Sequence, residues 1–438
     1  MKSTELLAPA GTLKNLKYAI AYGADAVYAG MPRYSLRVRN NDFSNYENLA
    51  SGIETVHAAG KRFYLACNVL PHNSKVKTFM DDIAAVVELN PDALIMADPG
   101  LIMQVRERWP GLPVHLSVQA NTVNYAGVKF WQSLGLKRII LSRELSLDEI
   151  EEIRQQCPDM ELEVFVHGAL CIAYSGRCLL SGYFNHRDAN QGSCTNSCRW
   201  KYDVKEAESD ITGDTVASDK SEPQHEAAQE QVYLLEEAER PGELMPIEED
   251  EHGTYIMNSK DLRAVEHVER LVNMGIDSLK IEGRTKSHYY VARTAQTYRN
   301  AIDDAIAGRA FDERHLGVLE NLASRGYTDG FFKRYHSQEY QNYMQNRSDS
   351  LKQRFVGEIT HFDAAQGVAE VEVKNKFAVG DVLELILPGG DRSITLSEMR
   401  NERGESIDEV LGSGYRVKIP LPVDDGANYE LGLLAKNL

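Results

Sequence analysis

Four cysteines near the middle of the chain have the residue type and spacing to bind a metal ion or an iron–sulfur cluster. Cys171 and Cys178 are followed by Cys194 and Cys198, so four of the six cysteines in 438 residues occupy one short stretch. Soft thiolates gathered at one place hold zinc or an iron–sulfur cluster, and the cluster commonly takes four cysteines. A disulfide framework is the third possibility, and it is typical of small secreted proteins.

The elements that must position these thiols alternate regularly. Short apolar runs alternate with amphipathic segments, which is typical of repeated βα units. The strands are predicted at residues 5–9, 25–30, 62–69, 92–98, 114–121, 138–145, 161–167 and 277–283. The helices are predicted at residues 13–21, 45–58, 76–88, 100–108, 124–134, 147–156, 258–275, 288–307 and 312–324.

This alternation predicts an α/β fold, a (β/α)8 TIM-like barrel over residues 1–310. A doubly wound open sheet is the alternative, and it is less favoured because the chain has no Gly-rich dinucleotide fingerprint. An insertion follows the seventh strand. It consists of a Cys-rich metal site at 168–200 and an acidic segment at about 203–231 that we expect to be flexible.

The last third of the chain has a different sequence pattern. Residues 311–354 are predicted to form a helical, Arg- and Tyr-rich connector. Its basic and aromatic side chains could pack on the barrel or stack on RNA bases. Short strands separated by Gly, Pro and Asp in residues 355–438 predict a small antiparallel β-barrel of about six strands.

The net charge of −17 is concentrated in one part of the chain. Residues 203–251 hold 17 Asp or Glu against three Lys or Arg, which leaves a net charge of −3 for all other residues. The folded part could therefore carry a basic face, although the acidic total argues against loose binding to nucleic acid. Without a signal-like leader or a run of about 18 apolar residues, we expect a cytoplasmic protein with reduced thiols and no membrane contact.

Polar residues at the ends of the predicted strands are the other candidates for chemistry. In a (β/α)8 barrel the active site lies at the C-terminal ends of the strands, and Cys171 directly follows the seventh. Polar groups there are costly to bury without a partner or a ligand, although a hydrogen-bonded rim would explain each one equally well. The catalytic candidates are Arg143, His167, Glu282 and Arg284, and the substrate-binding candidates are Asn68, Gln119, Asn121, Arg143 and Arg284. The remaining strand-end candidates are Asp98 and Glu144. The two arginines would suit a carboxylate or a phosphate, which a guanidinium fork binds through two hydrogen bonds.

Several motifs carry a resemblance to a known family. The segment EVFVHGALC at 163–171, followed by GRCLLS at 176–181, resembles the signature of the peptidase U32 family. Five further segments resemble other sequence blocks of the family, so the likeness spans nearly the whole chain. They are ELLAPAG (5–11), SVQAN (117–121), SREL (142–145), NSKDL (258–262) and KIEGR (280–284).

The resemblance implies a specific activity. The length and residues 236–262 are most similar to the family branch that acts on tRNA. That branch implies oxygen-independent, prephenate-dependent formation of 5-hydroxyuridine at the wobble uridine, the first step toward 5-carboxymethoxyuridine. It also implies a 4Fe–4S cluster and, as partners, the tRNA anticodon stem-loop, prephenate, and electron-transfer or sulfur-assembly proteins. The implied cluster ligands are Cys171, Cys178, Cys194 and Cys198.

Other functions stay open beside the tRNA uridine hydroxylase that we expect. The family name implies a collagenase-like peptidase, but the chain has no Gly-x-Ser-x-Gly motif, and His225-Glu226 lacks the second histidine of a zinc-peptidase helix. Related family members imply hydroxylation of ribosomal RNA or of a ubiquinone precursor. A non-catalytic docking protein, with the cluster as a structural staple, is the third class.

Overall fold

The computed structural model describes most of the chain. The described residues are 4–36, 41–171, 173–174, 177–178, 181, 187–191, 194, 207–209, 215–217, 233–236, 244–250, 253–255, 260–322, 326–333, 353–422 and 428–438. Between residues 207 and 255 only the strands are described, and not their side chains.

Fifteen strands are described in the first 330 residues. They are β1 (Glu5–Pro9), β2 (Ala26–Gly30), β3 (Arg62–Cys67), β4 (Ala93–Met96), β5 (Val114–Leu116), β6 (Arg138–Ile140), β7 (Glu161–Ala169), β8 (Ala207–Ser209), β9 (Thr215–Ala217), β10 (Tyr233–Glu236), β11 (Leu244–Asp250), β12 (Gly253–Tyr255), β13 (Asp261–Arg263), β14 (Ser278–Ile281) and β15 (Tyr327–Thr328).

The α-helices mostly lie between successive barrel strands. They are α1 (Leu13–Ala21), α2 (Tyr46–Ala58), α3 (Asn73–Val87), α4 (Pro99–Arg108), α5 (Tyr125–Ser133), α6 (Leu147–Gln156), α7 (Val268–Asn273), α8 (His288–Ile306) and α9 (Arg314–Glu320). Side chains before six of them accept a hydrogen bond from a first-turn N–H and so fix where the helix begins. These caps are Thr12, Asn45, Asp98, Asn124, Ser146 and Ser287.

The predicted (β/α)8 barrel is confirmed. Strands β1 to β7 pair in sequence order and in parallel, and β14 pairs with both β1 and β7 to close the ring. The buried apolar side chains of the strands and of the surrounding helices form one continuous core. No helix in the described part of the chain is long and apolar enough to cross a membrane.

The helix predicted at residues 258–275 is wrong in its first half. There the described chain forms β13, a short 3-10 turn at Val265–His267 and then α7. The reason is that β7 extends beyond the barrel, and its last residues pair antiparallel with β13 instead of with β14. Strand β15 extends this small side sheet in parallel with β13. Tertiary pairing overrides the helical periodicity at this point.

The insertion is only partly described. Strands β8 and β9 form a hairpin inside the acidic segment, and β10, β11 and β12 form a second small sheet. The flexibility of residues 203–231 stays a prediction. Residues 334–352 of the Arg- and Tyr-rich connector lie outside the described residues, and α9 is shorter than predicted.

The C-terminal region is an antiparallel β-domain, as predicted, with more strands than expected. A seven-stranded sheet has the order β20-β19-β24-β16-β17-β23-β21, and β18 pairs with β22. Its strands are β16 (Gln353–Asp363), β17 (Val368–Val373), β18 (Asn375–Ala378), β19 (Val382–Ile386), β20 (Arg392–Thr395), β21 (Arg400–Asn401), β22 (Glu409–Gly412), β23 (Arg416–Pro420) and β24 (Leu433–Asn437).

Buried polar contacts fasten this domain to the barrel. The buried Arg293 of α8 forms ion pairs with Asp391 and, at 2.9 Å, with Glu384. The Tyr22 hydroxyl after α1 donates to the carbonyl of Ile386 at 2.9 Å. The domain therefore rests on α1 and α8, on the outer side of the barrel.

A chain of buried charges fills the barrel interior. The Arg138 guanidinium lies 2.5 Å from a carboxylate oxygen of Glu5 and 3.3 Å from one of Glu163. The second Glu163 oxygen lies 2.7 Å from Nζ of Lys280. All four side chains are almost fully buried, so each charge depends on its partners for compensation.

This arrangement predicts that Arg138→Leu is strongly destabilising. The substitution removes the cation that Glu5 and Glu163 share and leaves one excess negative charge in the buried network, although Glu5 keeps its ion pair with Arg62 and Glu163 keeps Lys280. Such a loss costs about 3–5 kcal/mol. Urea unfolding measures the loss. The matched control is Arg270→Leu, because Arg270 makes exposed ion pairs with Asp148 and Glu151, and it should cost at most about 1 kcal/mol. Equal losses in the two variants would contradict this account of the interior.

Candidate active site at the barrel mouth

Two aromatic rings form the floor of the mouth. The Lys280 ammonium lies 4.3 Å from the ring centroid of Tyr28 and 5.3 Å from that of Phe165. Aromatic faces attract cations, so both rings stabilise a lysine charge that is otherwise paired only with Glu163. Burial lowers the Lys280 pKa, and Glu163 opposes that shift.

Arg143 lies on this floor from the side of the mouth. Its guanidinium carbon is 3.9 Å from the Phe165 centroid, and Nη1 donates to the Ala169 carbonyl at 3.0 Å. Its Nη2 lies 3.9 Å from a carboxylate oxygen of Glu282. Both side chains keep some exposure, 14% for Arg143 and 16% for Glu282, so solvent or a small ligand reaches this pair.

Arg284 approaches the same floor from the other side. Its Nη1 donates to Oγ of Ser35 at 2.6 Å, and its guanidinium carbon lies 5.6 Å from the Tyr28 centroid. The Tyr28 hydroxyl donates to the Ile281 carbonyl at 3.0 Å and to Glu282 at 3.3 Å. Burial and the neighbouring Glu282 raise the pKa of Tyr28 well above its ordinary value, which keeps the phenol protonated. The structure thus brings three of the four catalytic candidates together.

An irregularity between β7 and β14 aims Glu282 into the mouth. The pairing register shifts between Lys280 and Ile281, and the Glu282 N–H donates to the His167 carbonyl at 2.8 Å. Bulges of this kind re-aim side chains next to active sites. Gly168 makes the close approach possible, because its φ is +104° and a Cβ there would lie 2.3 Å from the Glu282 carbonyl oxygen.

The fourth catalytic candidate, His167, lies in a different environment. Its ring is packed against Tyr290, Tyr298 and Tyr327, and the Tyr298 hydroxyl lies 3.3 Å from Nδ1. Two of these tyrosines belong to α8, so the imidazole lies between the barrel wall and that helix. Burial lowers the pKa of His167 to about 3, which makes the ring neutral at physiological pH.

The amide residues among the substrate-binding candidates, Asn68, Gln119 and Asn121, lie in the hydrogen-bonded rim loops. Asn68 accepts from the Leu36 N–H at 3.3 Å and donates to Oγ of Ser117 at 3.3 Å, so it joins the loops after β2, β3 and β5. Asn121 has a left-handed backbone conformation, with φ of +51°, and its amide donates to the Gln119 carbonyl at 3.2 Å. The side chain of Asp98 caps the N-terminus of α4, which explains its position at the end of a strand.

An open pocket lies beside the mouth, between the loops after β5, β6 and β7. Its volume is about 520 Å³. It is lined by Asn121, Val123, Glu144, Leu145, Glu149, Tyr174 and Arg177.

The described cysteines of the loop after β7 lie on the same side of the barrel as the mouth. Cys171 is exposed and comes two residues after Ala169, the residue that accepts from Arg143, whereas Cys178 and Cys194 are half-buried. Asn190 donates to the Cys178 carbonyl at 3.0 Å, and Lys75 donates to the Gln191 carbonyl at 3.2 Å. The cysteine loop is therefore tied to the start of α3, across the mouth from β7.

The thiols fit a soft-metal or iron–sulfur site in donor chemistry and in place. Cys171, Cys178 and Cys194 belong to one loop at the mouth, and Cys198 lies outside the described residues. Among the side chains that the structure describes, no group of three His, Cys, Asp or Glu is arranged to hold a metal ion. The ligand assignment therefore stays a prediction.

Sequence reasoning missed the floor residues Tyr28, Phe165 and Lys280, together with Glu163. A signal was present in the two strands, because Glu163 and Phe165 are two residues apart in β7, and Lys280 in β14 is two residues before Glu282. Side chains two apart on a strand share a face, and a charge inside an apolar barrel strand points to a buried network.

Comparison with known proteins identifies the family. Residues 11–342 match the model of peptidase family U32, and residues 352–431 match that of the peptidase family U32 C-terminal domain. The chain belongs to peptidase family U32. It is 61% identical to the tRNA hydroxylation protein P of Escherichia coli (strain K12), over 98% of this chain and 96% of that protein. It is 57% identical to the protein of the same name from Haemophilus influenzae, over 99% and 96%. A solved structure, that of the U32 peptidase Mk0906, aligns with 65% of this chain and 94% of its own at 13% identity and a TM-score of 0.38.

The Gly168 geometry predicts that Gly168→Ala disturbs the U32 mouth. The new Cβ would strain a left-handed backbone position and press on the Glu282 carbonyl, at a cost of about 1–3 kcal/mol or more. The control is Gly308→Ala, because Gly308 has φ of +67° with nothing within 4 Å of the new Cβ. Unfolding free energies should show the larger loss at position 168. Equal losses would mean that the contact with Glu282 does not constrain the mouth.

The burial of His167 predicts a pH dependence of stability. The unfolded histidine takes up a proton below about pH 6.5, whereas the folded ring stays neutral down to about pH 3. Stability from this group is therefore lost as the pH falls through that window, by about 1.4 kcal/mol per unit. In His167→Gln the unfolding free energy should fall less steeply between pH 6.5 and 4 than in the wild type. The exposed His361→Gln should keep the wild-type slope, and an unchanged slope in His167→Gln would contradict the burial.

Proposed function

We propose that this protein is an enzyme that hydroxylates tRNA, at C5 of the wobble uridine. The observation that carries the proposal is the near full-length similarity to two proteins named for tRNA hydroxylation. The barrel mouth supports it, because cationic, acidic and thiol side chains lie together there beside a pocket open to solvent. A tRNA substrate implies that the enzyme acts in the cytoplasm.

The mouth has a net positive charge that attracts a small organic anion. Arg143 and Arg284 contribute two positive charges around Tyr28, against the single charge of Glu282. Below the floor, Lys280 is already compensated by Glu163. One carboxylate of an organic diacid would balance the remaining charge of +1, and its two carboxylates could accept charge-assisted hydrogen bonds from the two guanidinium groups. Prephenate is such an acid and is the proposed co-substrate.

The four thiols are proposed to carry a 4Fe–4S cluster. Cys171, Cys178 and Cys194 are within the described loop, and Cys198 is assigned by its sequence position alone. When bound, such a cluster supplies electron transfer next to the substrate. The chain itself positions the loop through Asn190 and Gln191. Electron-transfer or sulfur-assembly proteins are the proposed partners.

The target base must leave the tRNA stack to reach this mouth. Anticodon-loop bases are single-stranded and can be splayed out at low cost. Arg143 and Arg284 would keep the acid in place, and Glu282 is the carboxylate that can accept a proton near it. His167 is not given a role in the reaction, because its ring is enclosed by tyrosines.

Nucleoside mass spectrometry of tRNA tests the proposal. Cells that carry the wild-type gene, a deletion of the gene or the Cys171→Ala variant are grown without oxygen. Their tRNA nucleosides are then compared. The deletion and the variant should lack 5-hydroxyuridine and its derivatives, because the thiol site is lost. Cys157→Ala is the control, since Cys157 is a buried thiol at the end of α6 and should leave the nucleosides unchanged. An unchanged wobble profile in the deletion would contradict the function and redirect the search to ribosomal RNA, a ubiquinone precursor or peptidase substrates.

The anion site has its own test. Arg143→Ala and Arg284→Ala each remove a charged hydrogen bond worth about 1.5–3 kcal/mol, which predicts a roughly 10- to 100-fold loss in kcat/KM for the acid. Arg270→Ala, on the exposed side of α7, should have no effect. Wild-type kinetics in both mouth variants would contradict the assignment of Arg143 and Arg284 to an anion site.

A further inference from the structure

The open pocket beside the mouth has a size and a composition that the small acid does not explain. Its volume of about 520 Å³ is in the range of specific ligand sites. It lies off the barrel axis, and none of Tyr28, Phe165, Arg143, Arg284 and Glu282 lines it. The barrel end therefore contains two compartments, one on the axis and one at the rim.

A single loop serves both compartments. Arg143 reaches inward, onto Phe165 and to the Ala169 carbonyl. Its neighbour Glu144 lines the rim pocket instead and accepts a hydrogen bond from Ser142. A ligand in the rim pocket would thus lie next to one held on the axis by Arg143.

The cysteine loop supplies an aromatic ring and a cation to the rim pocket. Tyr174 is 54% exposed although it lines the pocket, so its ring is available to a ligand. The Arg177 N–H donates to the Tyr174 carbonyl at 3.1 Å, which holds the two residues close together. Both residues lie between Cys171 and Cys178 in the sequence. Exposed aromatic rings next to basic side chains are the usual means of stacking single-stranded bases and contacting their phosphates.

The polar wall of the pocket matches the hydrogen-bonding edge of uracil. Uracil presents one N–H donor between two carbonyl acceptors. The Glu144 carboxylate can accept from that N–H, and the Asn121 amide is a donor to a carbonyl from the facing loop. Cytosine has an acceptor at the same ring nitrogen, which a carboxylate repels. Leaving such a group unsatisfied gives strong discrimination between the two bases.

We propose that this rim pocket receives an extruded uracil nucleotide of single-stranded RNA, with Tyr174 stacked on the base. The assignment rests on the proposed function and adds to it the site at which the target base is bound. Arg177 contacts the phosphate of that nucleotide, and Glu144 reads the uracil N–H. The base then lies between the thiols and the acid on the axis.

Binding of two RNA hairpins to the anaerobically purified holoenzyme tests this assignment. Both have the sequence of an anticodon stem-loop, with uracil at the target position in one and no base there in the other. The wild type should bind the uracil hairpin more tightly. Tyr174→Ala should weaken its binding by about 5- to 100-fold and leave the abasic hairpin unaffected, since base stacking is lost.

Matched variants separate stacking from other effects. Tyr174→Phe keeps an aromatic face and should retain the preference for uracil. Tyr125→Ala removes a half-exposed tyrosine on α5 that does not line the pocket, and should bind as the wild type does. Glu144→Gln should reduce the preference for uracil over cytosine at the target position.

The outcomes distinguish this assignment from the proposed function. If the wild type does not prefer uracil over the abasic hairpin, or if Tyr174→Ala keeps that preference, the pocket assignment is overturned even where tRNA is hydroxylated in cells. If the preference depends on Tyr174 but deletion of the gene leaves tRNA hydroxylation intact, the pocket stands and the proposed function fails.

Discussion

The Glu163 carboxylate inside the barrel is the constraint on which the active-site end depends. It is fully buried and bridges Arg138 below and Lys280 above. Because these charges compensate one another, the barrel can bury a lysine directly under the rings of Tyr28 and Phe165. Those rings in turn support Arg143 and Arg284. The placement of the mouth cations is therefore a consequence of ion pairs inside the barrel.

The termination of β7 determines the rest of the site. Its last residues leave the barrel to pair with β13, and the close approach at Gly168 turns Glu282 toward the mouth. The Ala169 carbonyl anchors Arg143, and the cysteine loop starts two residues later. One strand end thus positions a guanidinium, a carboxylate and the first thiol, which explains how the proposed anion site and the loop thiols come to be adjacent.

Much of this architecture was predictable from periodicity alone. Strands and helices alternate with a clear pattern, and the barrel, the antiparallel C-terminal domain and the position of Arg143, Glu282 and Arg284 at the mouth were all expected. The exceptions depend on contacts distant in sequence. The sequence pattern at Asp261–Arg263 predicts a helix, but in the structure this segment pairs with β7 as a strand. The strand pattern predicts His167 at the mouth, but the register shift between β7 and β14 places it elsewhere. Tyr174 lies in a loop without periodicity, so only the pocket identifies it.

We propose that the barrel mouth joins a thiolate-bound cluster to a site for an RNA base and a small acid. The iron and acid-labile sulfide content of the protein purified without oxygen tests this arrangement, in the wild type and in a variant with all four loop cysteines changed to alanine. We expect iron and sulfide in equal amounts in the wild type and neither in the variant. Bound zinc without iron or sulfide in the wild type would contradict the proposed cluster.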